Sequence, residues 1–502
     1  MSIKKNVFAN YASQIYTTLA GILMLPLYLK YMGAETYGLL GFFTMLQAWF
    51  NLLDLGLTPT ISREAARLKA DVTRALEFRR LFRSLSVIFL SAAVIGGGGI
   101  LLLAPYISNK WLNAEIISSG QIEFAVQVMG VCVALRWMGG VYRGVISGVE
   151  LQVWLGFLNL VITTLRFIII FPVMWCFGFT AKIFFVYQLF VAVLELFLLW
   201  NKSRIILCCF KLEVGAIGWS IKPIKSVLKF SMTIAFTSSV WVFATQTDKL
   251  LLSKMLTLNE YGFFSLAVLV ASTVMVVSGP ISSAIMPRMA NLYSRNKKAD
   301  VVDLYRKSTQ LVSLFAGALT LTLLCAGDHL LYAWTGGVTL KDDTALIMKL
   351  YALGNGVLAI GAFPYYLQYA KGDLKYHLVG NLMMITITLP ATYFATTFYG
   401  AIGAGCAWLV INLSFLIFWV AYVHGKITPG LHMDWLIKDV LRVLFPGVVV
   451  SLLIVNIDVK VTGVFYNLLY VVCTAFIVIL SMFVFAMFVS KLSIFDELKR
   501  FR

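Results

Sequence analysis

Three arginines lie within or at the end of long apolar stretches of this 502-residue chain. Arg166 stands in the middle of an apolar run, Leu165-Arg166-Phe167-Ile168-Ile169-Ile170, and Arg136 and Arg143 are seven residues apart on one predicted helix. A charge inside a bilayer costs about 2.5–3.5 kcal/mol, so it usually faces a cavity or a partner. The planar guanidinium donates bidentate hydrogen bonds to phosphates and stays charged when desolvated. The arginines therefore predict a binding site for a phosphate or pyrophosphate group.

Arg136 and Arg143 share nearly one helical face and predict a basic ladder that rises toward Arg166. Glu195, on the predicted sixth helix, is the expected partner of an arginine on the fourth or fifth helix. A purely structural ion pair that holds these helices together is an alternative for the same residues. A polar patch, 246–249, interrupts the predicted seventh helix, and its Asp248 and Lys249 could equally form a local ion pair without a ligand.

The elements that must position these residues are membrane-spanning helices. Mean hydropathy is +0.87 and 60% of residues are hydrophobic, which excludes a soluble multidomain protein. About 20 apolar residues span a bilayer as a helix. The sequence predicts an all-α polytopic membrane protein with about fourteen such helices: 7–29, 38–61, 84–107, 122–142, 153–177, 182–201, 230–253, 261–285, 309–333, 346–370, 378–400, 403–424, 443–457 and 464–490.

Positive charge is sorted to one side of these helices. When the loops are assigned alternately to two sides, most of the 41 Lys and Arg fall on the side that holds both termini, including the loops 62–83, 202–229 and 286–310. Basic loops mark the cytoplasmic side of a membrane protein. We therefore predict a multi-pass protein of the bacterial inner membrane with both termini in the cytoplasm.

The chain repeats itself at an offset of 224 residues, at which Tyr37 and Gly38 match Tyr261 and Gly262. Six helices per repeat is an even number, so both repeats enter the membrane from the same side, as in transporters with parallel repeats. The predicted organisation is a six-helix lobe over 1–201, a cytoplasmic linker over 202–229, a second six-helix lobe over 230–424, and two further helices with a tail over 425–502.

The charge distribution, the spacing of cysteines and histidines, and the motifs that are absent exclude several classes of function. The net charge of +18 is dispersed over short loops, whereas a nucleic-acid-binding protein concentrates charge on one surface; membrane lipids are the expected contact. The seven cysteines and four histidines show neither a disulfide framework nor metal-ligand spacing. GxSxG, P-loop and HExxH motifs are absent. We therefore predict no catalytic site, metal or cofactor, and a transporter rather than an enzyme.

Two segments resemble a known family. Leu29–Gly38 (LKYMGAETYG) joins the first two helices and Asp54–Glu64 (DLGLTPTISRE) closes the second; Thr247–Leu252 (TDKLLL) and Asn259–Gly262 (NEYG) partly echo the seventh helix and its following turn. Together they resemble the polysaccharide-exporter branch of the multidrug/oligosaccharidyl-lipid/polysaccharide transporter superfamily, which includes Wzx-type O-antigen flippases.

The resemblance implies a flippase for undecaprenyl-pyrophosphate-linked oligosaccharide repeat units of O-antigen or another surface polysaccharide. It also implies alternating access and contact with polysaccharide polymerase or assembly proteins. The family's cationic cavity would correspond to Arg136, Arg166 and Lys249. The acidic residues for coupling or for orienting those cations would be Asp54, Asp248 and Glu195, although Asp54 could instead cap a helix or pair with Arg63.

Three alternatives remain open at this point. A cation-coupled drug or metabolite antiporter of the same superfamily would favour an acidic lumen over a basic one. A membrane-embedded glycan polymerase or ligase would require a sizeable outer loop, and the longest outer loops, 108–121 and 334–345, are short. A non-transporting scaffold for glycan assembly would not require arginines in the middle of the bilayer.

Overall fold

The predicted apolar stretches fall on helical segments. The structure, a computed structural model, describes residues 3–54, 56–71, 75–209, 222–337, 343–457 and 462–490. Helices dominate because no water is available in hydrocarbon, so each backbone N–H and C=O must bond within its own segment. In these ranges no strand forms, and one isolated parallel bridge joins Asn113 and Thr257.

The chain divides into two compact units, Met1–Gly262 and Phe263–Arg502. The first unit contains a 3₁₀ turn at Asn51–Asp54 and π-helical turns at Ile107–Trp111 and Thr164–Ile169. Its helices are α1 (Ile3–Met32), α2 (Ala34–Phe50), α3 (Leu57–Ala70), α4 (Ala75–Tyr106), α5 (Ser119–Gly148), α6 (Gln152–Thr163), α7 (Ile170–Phe177), α8 (Ala181–Cys209), α9 (Lys222–Met255) and the first turn of α10 (Leu258–Ser294).

Helix α5 is the centre of the first unit and packs against α8, α4, α3 and α2, while α1 packs against α6. Small residues on α5 make this packing close. A Cβ at Gly144 would lie 2.9 Å from the carbonyl oxygen of Thr58, and one at Gly148 would collide with that of Ser62. Glycines that admit a neighbouring backbone are a common means of helix association in membranes.

The second unit is organised around α11. Its helices are the remainder of α10, α11 (Lys298–Trp334), α12 (Asp343–Gly361), α13 (Phe363–Lys371), α14 (Lys375–Ser414), α15 (Val420–Ile427), α16 (Leu431–Asp434), α17 (Arg442–Val455) and α18 (Val464–Ser490), with π-helical turns at Phe415–Trp419 and Trp435–Leu441. Helix α11 packs against α12, α17 and α18. Leu314 and Ala318 of α11 form a buried apolar core with Val443 of α17 and Val478 and Met482 of α18.

The predicted class, an all-α polytopic membrane protein, is confirmed. Of the described helices, ten are long and apolar enough to cross a membrane, and eleven if the bent pair Ala34–Asp54 and Leu57–Lys69 counts as one span. Gly400 has φ 56° and ψ −138° inside α14, so it breaks Lys375–Ile427 where the sequence predicts the boundary between two spans. The total of fourteen stays a prediction.

The predicted lobe boundaries and the six-plus-six-plus-two plan also stay predictions. Parts of them lie outside the described residues: positions 210–221 of the linker, Lys341 and Lys460 in two loops, and the basic tail from 491 onward.

Glu35, in the segment Leu29–Gly38 that carries the family resemblance, is a buried carboxylate that holds an extended loop. Its two oxygens accept hydrogen bonds of 2.8–3.1 Å from the backbone N–H groups of Glu115, Ile116 and Ile117, and Glu35 is only 4% exposed. Charge-assisted bonds of this kind are about twice as strong as neutral ones. Glu35 therefore fixes the loop after α4 against the start of α2.

Replacing Glu35 with glutamine is expected to loosen this loop. The amide has one acceptor oxygen and turns an N–H₂ toward the backbone donors, so the loss is roughly 1–2 kcal/mol. Hydrogen–deuterium exchange at 115–117 should then become about tenfold faster, because each 1.4 kcal/mol is a factor of ten. Glu115→Gln is the matched control, since the Glu115 side chain is exposed. Unchanged protection in Glu35→Gln would show that the carboxylate does not hold the loop.

Candidate functional site

An ion pair joins α5 to α8 in the first unit. Arg143 Nη2 donates to Glu195 Oε1 at 2.5 Å, and Arg143 Nη1 donates to Asn159 Oδ1 at 2.8 Å. Glu195 is 8% exposed. The predicted partner of Glu195, an arginine on the preceding helices, is therefore Arg143 on α5.

A second arginine of α5, Arg136, is held by a neutral amide instead. Arg136 Nη2 donates to Gln188 Oε1 at 2.8 Å, and Gln188 Nε2 donates to the carbonyl oxygen of Arg166 at 3.0 Å. The ring centroid of Phe43 lies 5.3 Å from Arg136 Cζ, a cation–π contact. Gln188 thus links Arg136 to the backbone of the segment that carries Arg166.

Arg166 lies in the π-helical turn Thr164–Ile169, in the middle of the candidate span Gln152–Phe177. Single π-helical turns are frequent at functional sites. Helix α1 supports the turn through hydroxyl groups: Tyr28 Oη donates to the carbonyl oxygen of Phe167 at 2.6 Å, and Tyr16 Oη lies 2.7 Å from Thr164 Oγ1. The backbone around Arg166 is therefore fixed from α1 on one side and from Gln188 on the other.

The cluster has an excess of positive charge. Glu195 is the carboxylate that pairs with this group of arginines, through Arg143. Three guanidiniums and one carboxylate leave a net charge of +2. Arg136 Nε and Nη1 and Arg166 Nε are buried and have no hydrogen-bond partner among the described residues. Such donors are strong phosphate ligands.

Lys249 and Asp248 lie on α9, where no described contact joins them to the three arginines. Lys249 Nζ donates to Gln246 Oε1 at 3.2 Å, and the backbone N–H of Lys249 donates to Asp248 Oδ1 at 2.8 Å. Asp248 is 9% exposed. The placement of Lys249 in one cavity with Arg136 and Arg166 stays a prediction.

Asp54 caps a helix. It precedes α3, and its carboxylate accepts from the backbone N–H of Thr58 at 3.2 Å and from Thr58 Oγ1 at 2.5 Å. Arg63, the alternative partner considered for Asp54, makes its described ion pair with Glu64 at 2.9 Å. Of the two structural roles predicted for Asp54, helix capping and pairing with Arg63, its hydrogen bonds to Thr58 favour helix capping.

Gln188 and Asn159 were missed by the sequence reasoning, although a signal for Gln188 was present. Gln188 and Glu195 are seven residues apart on α8, the same spacing as Arg136 and Arg143 on α5. Both pairs join residues 52 positions apart, so α5 and α8 run parallel in one register. Matching heptad spacings of complementary polar residues in two apolar helices could have predicted both contacts.

Solved structures of two transporters share the fold of this chain. It resembles the lipid II flippase MurJ in an inward closed conformation, with a TM-score of 0.71 and 15% identity over 98% of this chain and 100% of that one. It also resembles an inward-facing multidrug resistance MATE family transporter of the MOP superfamily, with a TM-score of 0.67 and 12% identity over 85% and 98% of the two chains. The chain therefore has a MurJ- and MATE-like transporter fold.

The family follows from sequence. A Shigella flexneri protein named "Putative O-antigen transporter" is 20% identical over 416 residues, which cover 82% of this chain and 95% of that protein. The profile described as polysaccharide biosynthesis protein matches residues 3–293. The chain belongs to this family, and the resemblance predicted from Leu29–Gly38 and Asp54–Glu64 is confirmed.

Proposed function

We propose that this protein is a flippase for undecaprenyl-pyrophosphate-linked oligosaccharide repeat units of O-antigen or another surface polysaccharide. It works in the bacterial inner membrane, with both termini in the cytoplasm, and moves its substrate from the cytoplasmic to the periplasmic leaflet by alternating access. An ion gradient or the membrane potential drives the cycle. Family membership and the shared fold support transport rather than catalysis.

The observation that carries this proposal is the cluster of Arg136, Arg143, Arg166 and Glu195. A pyrophosphate that links a lipid to a sugar carries two negative charges, which matches the net charge of +2. The N–H groups of Arg136 and Arg166 that have no partner in the described chain donate charge-assisted hydrogen bonds to the pyrophosphate, in place of those that it makes with water. The polyprenyl tail can remain in hydrocarbon while the polar head crosses beside the arginines. A cation-binding antiporter would require the opposite charge at this depth.

Glu195 has an orienting role in this proposal, because its described ion pair is with Arg143. Arg136 and Arg166 then stay available to the substrate. Asp54 and Asp248 are proposed as further residues for coupling or orientation; Asp248 is adjacent to Lys249 and accepts its backbone N–H. Lys249 is a further cation for the substrate's head group. Polysaccharide polymerase and assembly proteins are the partners that such an export pathway implies.

Reconstitution tests the proposal. Purified protein is inserted into vesicles that carry an undecaprenyl-pyrophosphate-linked oligosaccharide with a fluorescent sugar, and a membrane-impermeant quencher reports leaflet exchange. Exchange is expected to be fast with the protein and slow in protein-free vesicles, under an imposed potential or ion gradient. Equal rates in both vesicle types under every gradient would contradict the flippase function.

A further inference from the structure

Gln188 forms side-chain hydrogen bonds to both of the deeper arginines of the cluster. It is 3% exposed and lies on α8. Its Oε1 accepts from Arg136 at 2.8 Å, and its Nε2 donates to the carbonyl oxygen of Arg166 at 3.0 Å. The orientation of the amide is determined by its partners, because an arginine only donates and a carbonyl oxygen only accepts.

The parallel register of α5 and α8 places two similar contacts one heptad apart. Arg143 meets a carboxylate, Glu195, whereas Arg136 meets the neutral amide of Gln188. Glutamate has nearly the same shape as glutamine and would accept equally well from Arg136. It would, however, place an oxygen against the carbonyl oxygen of Arg166 and reduce the net charge of the cluster from +2 to +1.

We infer that Gln188 is a positioning residue that also sets the charge selectivity of the site: its neutral amide orients Arg136 and leaves the cluster matched to a doubly charged pyrophosphate. The inference rests on the proposed function. A polyprenyl lipid with a single phosphate diester carries one negative charge and is the natural comparison substrate. Wild-type protein should prefer the pyrophosphate-linked lipid over the monophosphate-linked one.

The test uses the full chain in vesicles with two probes, undecaprenyl-pyrophosphate-linked and polyprenyl-monophosphate-linked fluorescent oligosaccharide. Gln188→Glu is expected to raise KM for the pyrophosphate probe about tenfold and to change KM for the monophosphate probe less, because one like charge is added beside the head group. Gln188→Glu/Glu195→Gln restores the net charge of +2 and should recover most of the preference for pyrophosphate. A purely structural role for Gln188 would not produce this recovery.

Gln188→Met is the second variant, and it carries the test if Gln188→Glu does not elute as folded protein. Methionine preserves the volume and the net charge but removes both hydrogen bonds, so transport of both probes should fall about tenfold with the preference unchanged. Transport by either variant at wild-type KM, rate and preference would overturn the inference and leave the flippase function intact. Wild-type protein that moves neither probe would overturn the flippase function, and the inference with it.

Discussion

Replacing Arg166 with alanine is expected to reduce glycan export about a hundredfold while the protein still inserts into the membrane. The guanidinium lies at mid-span with a buried N–H that has no partner in the described chain. Loss of its charge-assisted hydrogen bonds to a phosphate costs about 3 kcal/mol, or a factor of about 100. Surface glycan in cells that lack the native protein and express the variant measures the effect. Arg166→Lys should be intermediate, because it keeps the charge and loses the bidentate fork.

Arg204→Ala is the matched control for this prediction. Arg204 is exposed near the end of α8, and its guanidinium lies 5.6 Å from the ring centroid of Trp200. Export should stay at the wild-type level in this variant. Equal and normal export by Arg166→Ala, at equal expression, would remove Arg166 from the proposed site.

Replacing Asp439 with alanine is expected to lower the free energy of unfolding by about 2–3 kcal/mol, less than for a fully buried ion pair because the Arg306 side chain is 30% exposed. Asp439 is 0% exposed and accepts from Arg306 Nε at 2.7 Å, Arg306 Nη2 at 3.3 Å and Gln310 Nε2 at 2.5 Å. These bonds attach the segment before α17 to α11. Chemical unfolding in mixed micelles measures the change.

Asp434→Ala is the control for Asp439, since the nearby pair of Asp434 and Lys438 is exposed on both sides and should leave stability unchanged. The double variant Arg306→Met/Asp439→Leu should be more stable than Asp439→Ala, because it leaves no unpaired, partly buried guanidinium. An Asp439→Ala protein as stable as the wild type would show that this ion pair does not anchor the last two helices.

The helical class could be predicted from sequence because hydropathy acts over about 20 residues and does not depend on tertiary detail. The break in α14 at Gly400 was also predictable from nearby residues, because a glycine with positive φ lies at the boundary between two apolar stretches. Glu35 shows the limit. Its position in the motif Leu29–Gly38 was visible, but its binding of three amides some 80 residues away depends on tertiary contacts that no local pattern specifies.

The site was predictable in part for similar reasons. Charges within a span are costly, which singled out Arg166 at mid-span and Arg136 and Glu195 nearer the predicted cytoplasmic ends of their helices. An arginine on the fourth or fifth helix was the predicted partner of Glu195. That Glu195 pairs with Arg143 and not with Arg166 depends on the register of α5 and α8. The π-helical turn at Arg166 is set by neighbouring hydroxyl and amide groups on α1 and α8, whose contacts a single sequence does not encode locally.

The leaflet location of lipid-linked repeat units, in cells depleted of this protein, tests the flippase function most directly. Undecaprenyl-pyrophosphate-linked oligosaccharide should accumulate in the cytoplasmic leaflet, and expression of the intact chain should return it to the periplasmic leaflet, whereas Arg166→Ala should not. Unchanged glycan export and an unchanged leaflet distribution after depletion would contradict the flippase function. A drug or ion uptake assay would then test the antiporter alternative.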